Sequence, residues 1–304
     1  MDELMPRVRI MADTKMPGHP WKDMDNMEIM RSAGLYEDNP YSKEKGFNLA
    51  GILLFGTDET ILTCCPGYVT DCILRRVDLD RYDDRLMIRT NLIDAYNQAI
   101  QFIREYTPDP FYIEGVQRVS VRDKIARELV SNSLDHREFS TTRIARIIIE
   151  KDRIYADNWS RSSQSGKLDP TTFVPEPKNP LLAHFFENIG YADQLGSGVR
   201  NLYKYTAIYT NGGEPELVEG DTFKAIIPLP DTVTPEVTEK VTEKELDVLN
   251  CIIDNPAITS TEIAKLLQLS RKTISVRIKT LKASGIIKRI GSDKKGYWEI
   301  INQD

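Results

Sequence analysis

Two sets of side chains in this 304-residue sequence have types and spacings that could do chemistry. The first is Glu128, Asn132 and His136, each four residues apart in RELVSNSLDHREFS at residues 127–140. On a helix that spacing lays all three along one stripe. A carboxylate and a carboxamide on successive turns suit a magnesium–triphosphate site. The Asn132 carbonyl oxygen can ligate the hard cation, and Glu128 can orient an attacking water as general base. The alternative is a polar stripe that simply faces water. The second set is basic. Residues 259–295 hold ten Lys and Arg against Glu262 and Asp293, a local charge of +8 within a chain whose net charge is −6. The remainder therefore stands at −14, and an acidic body with one basic module would meet a phosphate backbone through that module.

The basic set is laid out as three helices and a hairpin. Thr242, with Glu245 three residues on, forms a capping box for a first helix whose apolar stripe is Leu246, Leu249, Ile252 and Ile253. After a break at residues 255–259, Ser260 or Thr261 starts a short second helix with Ile263, Ala264 and Leu267 inward. Leu269 and Ser270 make a tight turn, and Ser270 caps a third helix that runs to Ser284 on Ile274, Ile278 and Leu281, with Gly285 as its left-handed end. Residues 286–290 and 297–301 alternate as two strands around a basic tip. The major groove of DNA admits one helix, whose first turns reach base edges. Lys272, Thr273, Ser275 and Val276 are assigned to base edges; Arg271, Arg277, Lys279, Lys294 and Lys295 are assigned to phosphates. The bland alternative is a small interaction domain with a solvated charged face. The phrase TSTEIAKLLQLSRKTISVRIKTLKASGII also resembles the winged helix-turn-helix family, which implies double-stranded DNA as partner and, on a two-fold site, a homodimer.

Upstream, residues 122–138 carry the polar stripe on a helix with Ile125, Leu129, Ser133 and Leu134 inward. Leu49–Phe55 reads as an apolar strand and Leu92–Tyr106 as an amphipathic helix. Residues 111–121 read as extended, and residues 144–150 with 153–156 as a hairpin. A polar loop spans 157–178, followed by helices at 180–190 and 197–205 and a closing strand at 223–229. Residues 1–30 read as an arm or the truncated edge of something larger, and the Pro- and Thr-rich residues 228–241 as a linker. No apolar run reaches membrane-spanning length, and the start lacks a secretory signal, so a cytoplasmic location is expected. Cys64, Cys65, Cys72 and Cys251 include no C-x-x-C pair, and reduced thiols are expected.

RELVSNSLDHREFS is similar to the N-box of the divergent GHKL-type ATPase domain in bacterial proteins often labelled RecG-like helicases or transcriptional regulators, which end in a winged helix. Further similarities follow in order: Asp152-Arg153-Ile154 in the hairpin, Lys178-Asn179-Pro180-Leu181-Leu182-Ala183, and residues 190–200, GYADQLGSGVR. Earlier, residues 48–56, NLAGILLFG, resemble a segment before that domain. The resemblance implies ATP and magnesium as cofactors. Asn132 would then ligate the metal, Glu128 would be the base, and His136, Asn158, Gly196, Ser197 and Gly198 would bind the nucleotide. Where the family carries Asn-Pro-Gly-Gly this chain has Asn158-Trp159-Ser160-Arg161, so bulkier groups are expected at that cradle.

The expected fold is α+β: an N-terminal connector (1–90, the remnant of a larger domain) and a GHKL-like α/β sandwich (91–230). A linker (231–241) then leads to a small winged helix-turn-helix (242–304). A helicase is excluded by the lack of a P-loop, since no G-x-x-x-x-G-K-[ST] occurs. A histidine kinase is excluded because no separate phosphoacceptor helix precedes the N-box. The function expected is a DNA-binding transcriptional regulator whose body senses a nucleotide or another small-molecule effector. Its alternative is an ATP-hydrolysing switch that couples nucleotide state to DNA binding.

Overall fold

The computed structural model describes residues 1–38, 44–78, 80–110, 112–114, 117–160, 165–173, 177–193, 197–230, 243–283, 286–291 and 296–300. They form two compact units, Met1–Thr107 with Arg122–Pro230, and Pro108–Val121 with Asp231–Asp304.

The first unit opens with helices α1 (Leu4–Lys15) and α2 (Asn26–Ser32), strands β1 (Tyr36–Asp38) and β2 (Lys45–Phe47), and helices α3 (Leu49–Phe55) and α4 (Asp58–Cys64). Two expectations are corrected here. Residues 1–30 are not an arm: α1 and α2 bury Met5, Val8, Ala12, Ile29 and Met30. Leu49–Phe55 is a helix rather than a strand, capped by Asn48, whose side chain accepts from the Gly51 amide at 3.0 Å. A continuous apolar run has no period to separate the two structures, and the cap decided it. Gly51 also lets this helix press on the preceding chain, since a Cβ there would stand 2.7 Å from the Leu35 carbonyl oxygen.

Strands β3 (Thr70–Leu74) and β4 (Asp84–Ile88) then lead to α5 (Leu92–Tyr106). The short strands β5 (Ile113–Glu114) and β6 (Gln117–Arg118), which pair with each other and fall in the second unit, precede α6 (Val121–Asp135). Next come β7 (Ala145–Ile149), β8 (Arg153–Trp159), β9 (Gly166–Lys167), α7 (Pro180–Asn188), α8 (Ser197–Tyr209), β10 (Glu216–Glu219) and β11 (Thr222–Pro228). Seven of these strands form one mixed sheet in the order β4-β3-β7-β8-β11-β10-β9, with β3 and β7 the parallel pair. Strands on both sides of residue 90 thus share one hydrogen-bonded sheet. The hairpin read at 144–156 is β7–β8, closed by Ile149 opposite Ile154, with β8 running on to Trp159.

Alternation along these strands sends Cys72, Ile147, Ile149, Ile154, Ala156 and Ala225 into the core. The other face carries a charged ladder. Asp71, Arg146, Asp157 and Lys224 are register neighbours on β3, β7, β8 and β11. Arg146 grips Asp157 through two hydrogen bonds of 3.1 and 2.7 Å, and Arg85 grips Asp71 through two of 2.8 Å.

In the second unit, helices Glu243–Asp254, Ser260–Leu266 and Arg271–Ala283 are followed by an antiparallel hairpin, β12 (Ile287–Ile290) with β13 (Tyr297–Ile300). Val248, Leu249, Ile252, Ile258, Ile263, Ile274, Ile278, Leu281 and Ile287 pack with Trp298 into one core. Each fully buried Leu or Ile is worth about 1.5–3 kcal/mol, which holds the three helices against the hairpin. The caps read at Thr242 and Gly285 lie outside the described residues.

Candidate nucleic-acid interface and body cleft

The second helix of the C-terminal unit starts with a full capping box. Thr259 Oγ1 accepts from the Glu262 amide at 3.3 Å, and Glu262 Oε2 accepts from the Thr259 amide at 2.8 Å. A turn follows in which Gln268 takes a left-handed φ of 52°. Ser270 then caps the third helix, its Oγ accepting from the Thr273 amide at 3.1 Å. With Ile274, Ile278 and Leu281 turned inward, Arg271, Lys272, Ser275, Val276 and Lys279 are all exposed on the opposite face. Two of the expected contacts stand differently. Thr273 is half-buried, with its hydroxyl 2.8 Å from Ser270 Oγ, so it serves the cap. Arg277 is half-buried on the flank of the helix, and its Nη1 is buried without a hydrogen-bond partner. Lys294 and Lys295 lie outside the described residues. The hairpin is tied to the helices by Trp298, whose amide donates to Pro256 O at 2.7 Å and whose indole Nε1 donates to Ile258 O at 3.0 Å.

In the body, α6 and the start of α8 border an open cleft whose enclosed volume is about 60 Å³. Glu128, Asn132, His136, Ser197 and Gly198 all line it, so five of the expected residues converge. They are joined by Asp135, Glu187, Asp193 and Glu219. The close approach of α8 needs Gly198: a Cβ there would come to 3.0 Å from Glu128 Oε2. Glu128 is buried, with Oε1 accepting from Asn201 Nδ2 at 2.8 Å, and burial raises its carboxyl above the usual range. Asp135 is only 6% exposed, and burial raises its pKa to about 6, opposed in part by His136. Its Oδ1 has no hydrogen-bond partner, with His136 Nε2 at 3.6 Å.

Asn158 does not line this cleft. It lies behind the end of α6, where its Nδ2 donates to the His136 carbonyl at 3.3 Å and its Oδ1 is buried without a partner. Trp159, expected to crowd the cradle, borders a separate hollow with Asp71, Arg146 and Asp157, and Arg143 stacks on its ring at 3.8 Å. Gly196 and Arg161 lie outside the described residues. Asp135 and Asn201 are among the residues that sequence reasoning missed. The first was within reach, because residues 128, 132 and 135 share one helical face. Asn201 had no local signal, since the fold alone brings α8 to α6.

The three-helix unit with its hairpin has the layout of a winged helix domain, and comparison with known proteins agrees. The winged helix-turn-helix DNA-binding family matches residues 242–288. A domain family of unknown function matches residues 2–71. No curated protein matches the chain. Among solved structures the chain is similar to the crystal structure of the DIP2311 protein from Corynebacterium diphtheriae. The TM-score is 0.54 at 16% identity, over 97% of this chain and 61% of that one. At that identity the likeness is one of fold alone, and this chain spans about 61% of that protein's length. The chain thus joins a mixed α+β body with a seven-stranded sheet to a C-terminal winged helix-turn-helix of the DNA-binding kind. Among the described residues no helix is long and apolar enough to cross a membrane.

Proposed function

We propose that the protein is a transcriptional regulator that binds double-stranded DNA through its winged helix, as a homodimer on two-fold sites, and senses an effector in the body cleft. The observation that carries this reading is the third helix, whose exposed side is Arg271, Lys272, Ser275, Val276 and Lys279 on a fully cored winged fold. Lys272, Ser275 and Val276 face base edges, while Arg271 and Lys279 hold phosphates. The test is retention of a random-sequence duplex pool by the full chain. Lys272→Ala should weaken binding severalfold, and failure of the intact protein to retain any duplex at low salt would remove the reading.

For the cleft we propose a magnesium nucleotide, on a divergent GHKL-type body. Three features support the fit. The Glu128 and Asn132 side-chain oxygens both approach Gly198 at the start of α8, and carboxylate and amide oxygens suit a hard cation. Asp135, which lines the cleft, has a buried Oδ1 without a hydrogen-bond partner. Among the described lining residues there is no Lys or Arg, so an anionic ligand would need a cation of its own and the amides at the α8 start. Asn132 would hold the metal, and Ser197 and Gly198 would meet the phosphates. A bound magnesium nucleotide would supply the effector signal. Hydrolysis is the second reading, favoured by one observation: Glu128 is a buried carboxylate with a raised pKa, as a general base requires, held in place by Asn201. Titration with a fluorescent ATP analogue and magnesium tests both. No saturable binding at millimolar concentration would end the nucleotide reading and leave the DNA reading standing.

A further inference from the structure

The basic face of the winged helix does not stop where the third helix meets the hairpin. Lys272, Ser275, Lys279 and Lys282 recur at spacings of three and four, so Lys282 continues the exposed stripe into the last turn of Arg271–Ala283. There it reaches Trp298, its Nζ 5.3 Å from the indole centroid. Arg289 of β12, the strand neighbour of Trp298, lies over the same ring with its guanidinium carbon at 4.8 Å. The residue is fixed by its backbone amide on Pro256 O and its indole Nε1 on Ile258 O and is 8% exposed, so its ring is a rigid platform. Neither cation has a carboxylate partner among the described residues, and Arg289 Nη1 is buried without a hydrogen-bond acceptor. Two like charges held on one aromatic platform, with a guanidinium N–H left over, describe a site that lacks its anion. Cation–π contact orients both groups without neutralising them.

We infer that Lys282 and Arg289 form a phosphate-binding clamp on Trp298 at the base of the wing, a second anchor for duplex DNA separate from the base-reading turns. The clamp rests on the DNA-binding reading and adds to it a named phosphate site, which sequence spacing had not assigned. Its contribution is independent of base sequence, because a phosphate carries none. It also sets register: a backbone contact at the wing fixes how far the third helix slides along the groove.

The test uses the full chain, a fluorescein-labelled mixed-sequence duplex of about 30 base pairs and salt from 50 to 200 mM. Each lost phosphate contact should flatten the slope of log affinity against log salt by about 0.9, and weaken binding roughly eightfold at 0.1 M. The variants Lys282→Gln and Arg289→Gln should each show that loss, and the double variant about twice the change in slope. Arg289→Lys keeps the charge and should restore the slope, which a purely structural role for Arg289 would not predict. Trp298 fluorescence and thermal melting establish that each variant is folded. An unchanged slope in the folded double variant, with the unmodified protein still binding, overturns the clamp alone. Absence of binding by the unmodified protein overturns the DNA reading with it.

Discussion

Removing the charge of Asp135 should make the body more stable at neutral pH, and by an amount that depends on pH in a defined way. The carboxyl is 6% exposed, its Oδ1 has no partner, and burial raises its pKa from 3.8 to about 6. At about 1.36 kcal/mol per pKa unit, the ionised form costs the folded state about 3 kcal/mol above pH 7. The sign follows from the folded pKa lying above the unfolded one. The folded protein holds this proton more tightly, so the cost is absent below about pH 4, grows through the window from 3.8 to 6, and is complete above it. Asp135→Asn removes that cost but introduces amide N–H groups that need acceptors, which takes back about 1–2 kcal/mol. The variant should therefore match or fall below the parent near pH 4.5 and exceed it by about 1–2 kcal/mol at pH 7.5. Urea unfolding at a series of pH values, followed by near-ultraviolet circular dichroism from the stacked Tyr96 and Tyr191 rings, reads this difference. Taking variant minus parent cancels the opposite-signed contributions of the paired carboxylates at Asp123 and Asp152, whose pKa values are lowered. A difference that stays flat from pH 4.5 to 8, or that falls as pH rises, would refute the argument that Asp135 is a strained acceptor kept for a ligand.

Three further outcomes follow from single contacts. Thr259→Ala deletes the capping box of the second C-terminal helix; it should cost about 1 kcal/mol and lower the melting temperature of that unit by about 4–8 °C, read from Trp298 fluorescence. Gly198→Ala sets a Cβ at 3.0 Å from Glu128 Oε2; it should push the start of α8 off the cleft, destabilise the body by about 1 kcal/mol and weaken any nucleotide binding. Asn132→Ala should abolish magnesium-dependent nucleotide binding, measured by fluorescence titration, and leave DNA affinity without nucleotide unchanged.

What the sequence disclosed was mostly local. The C-terminal helices were legible because their ends are written in neighbouring residues: Ser270 before the third helix, and the inward spacing of Ile274, Ile278 and Leu281. Glu128, Asn132 and His136 could be placed together because a spacing of four is a property of one helix. The errors arose where a local pattern was silent. Leu49–Phe55 has no polar residue to betray its period, so only Asn48 marked it as a helix. In α1 the buried residues Met5, Val8 and Ala12 are interrupted by Arg7, Arg9 and Asp13, and the amphipathic face was too narrow to read. The cleft itself was out of reach, because the meeting of Asn201 with Glu128 depends on two helices 73 residues apart in the chain. Trp159 was misread for the same reason: strand alternation turns it to the open face of the sheet, beside Arg143, and register cannot be deduced without the partner strand.

The central claim is that duplex DNA meets this chain on the exposed stripe of Arg271–Ala283 and on the adjoining hairpin. Lysine acetylation followed by mass spectrometry, on the full chain with and without a saturating duplex, tests it residue by residue. Protection of Lys272, Lys279 and Lys282 by severalfold is predicted, while the exposed Lys22, Lys45 and Lys151 of the body keep their rates. Equal labelling of the three stripe lysines with and without bound duplex, or protection confined to the body, would contradict the account.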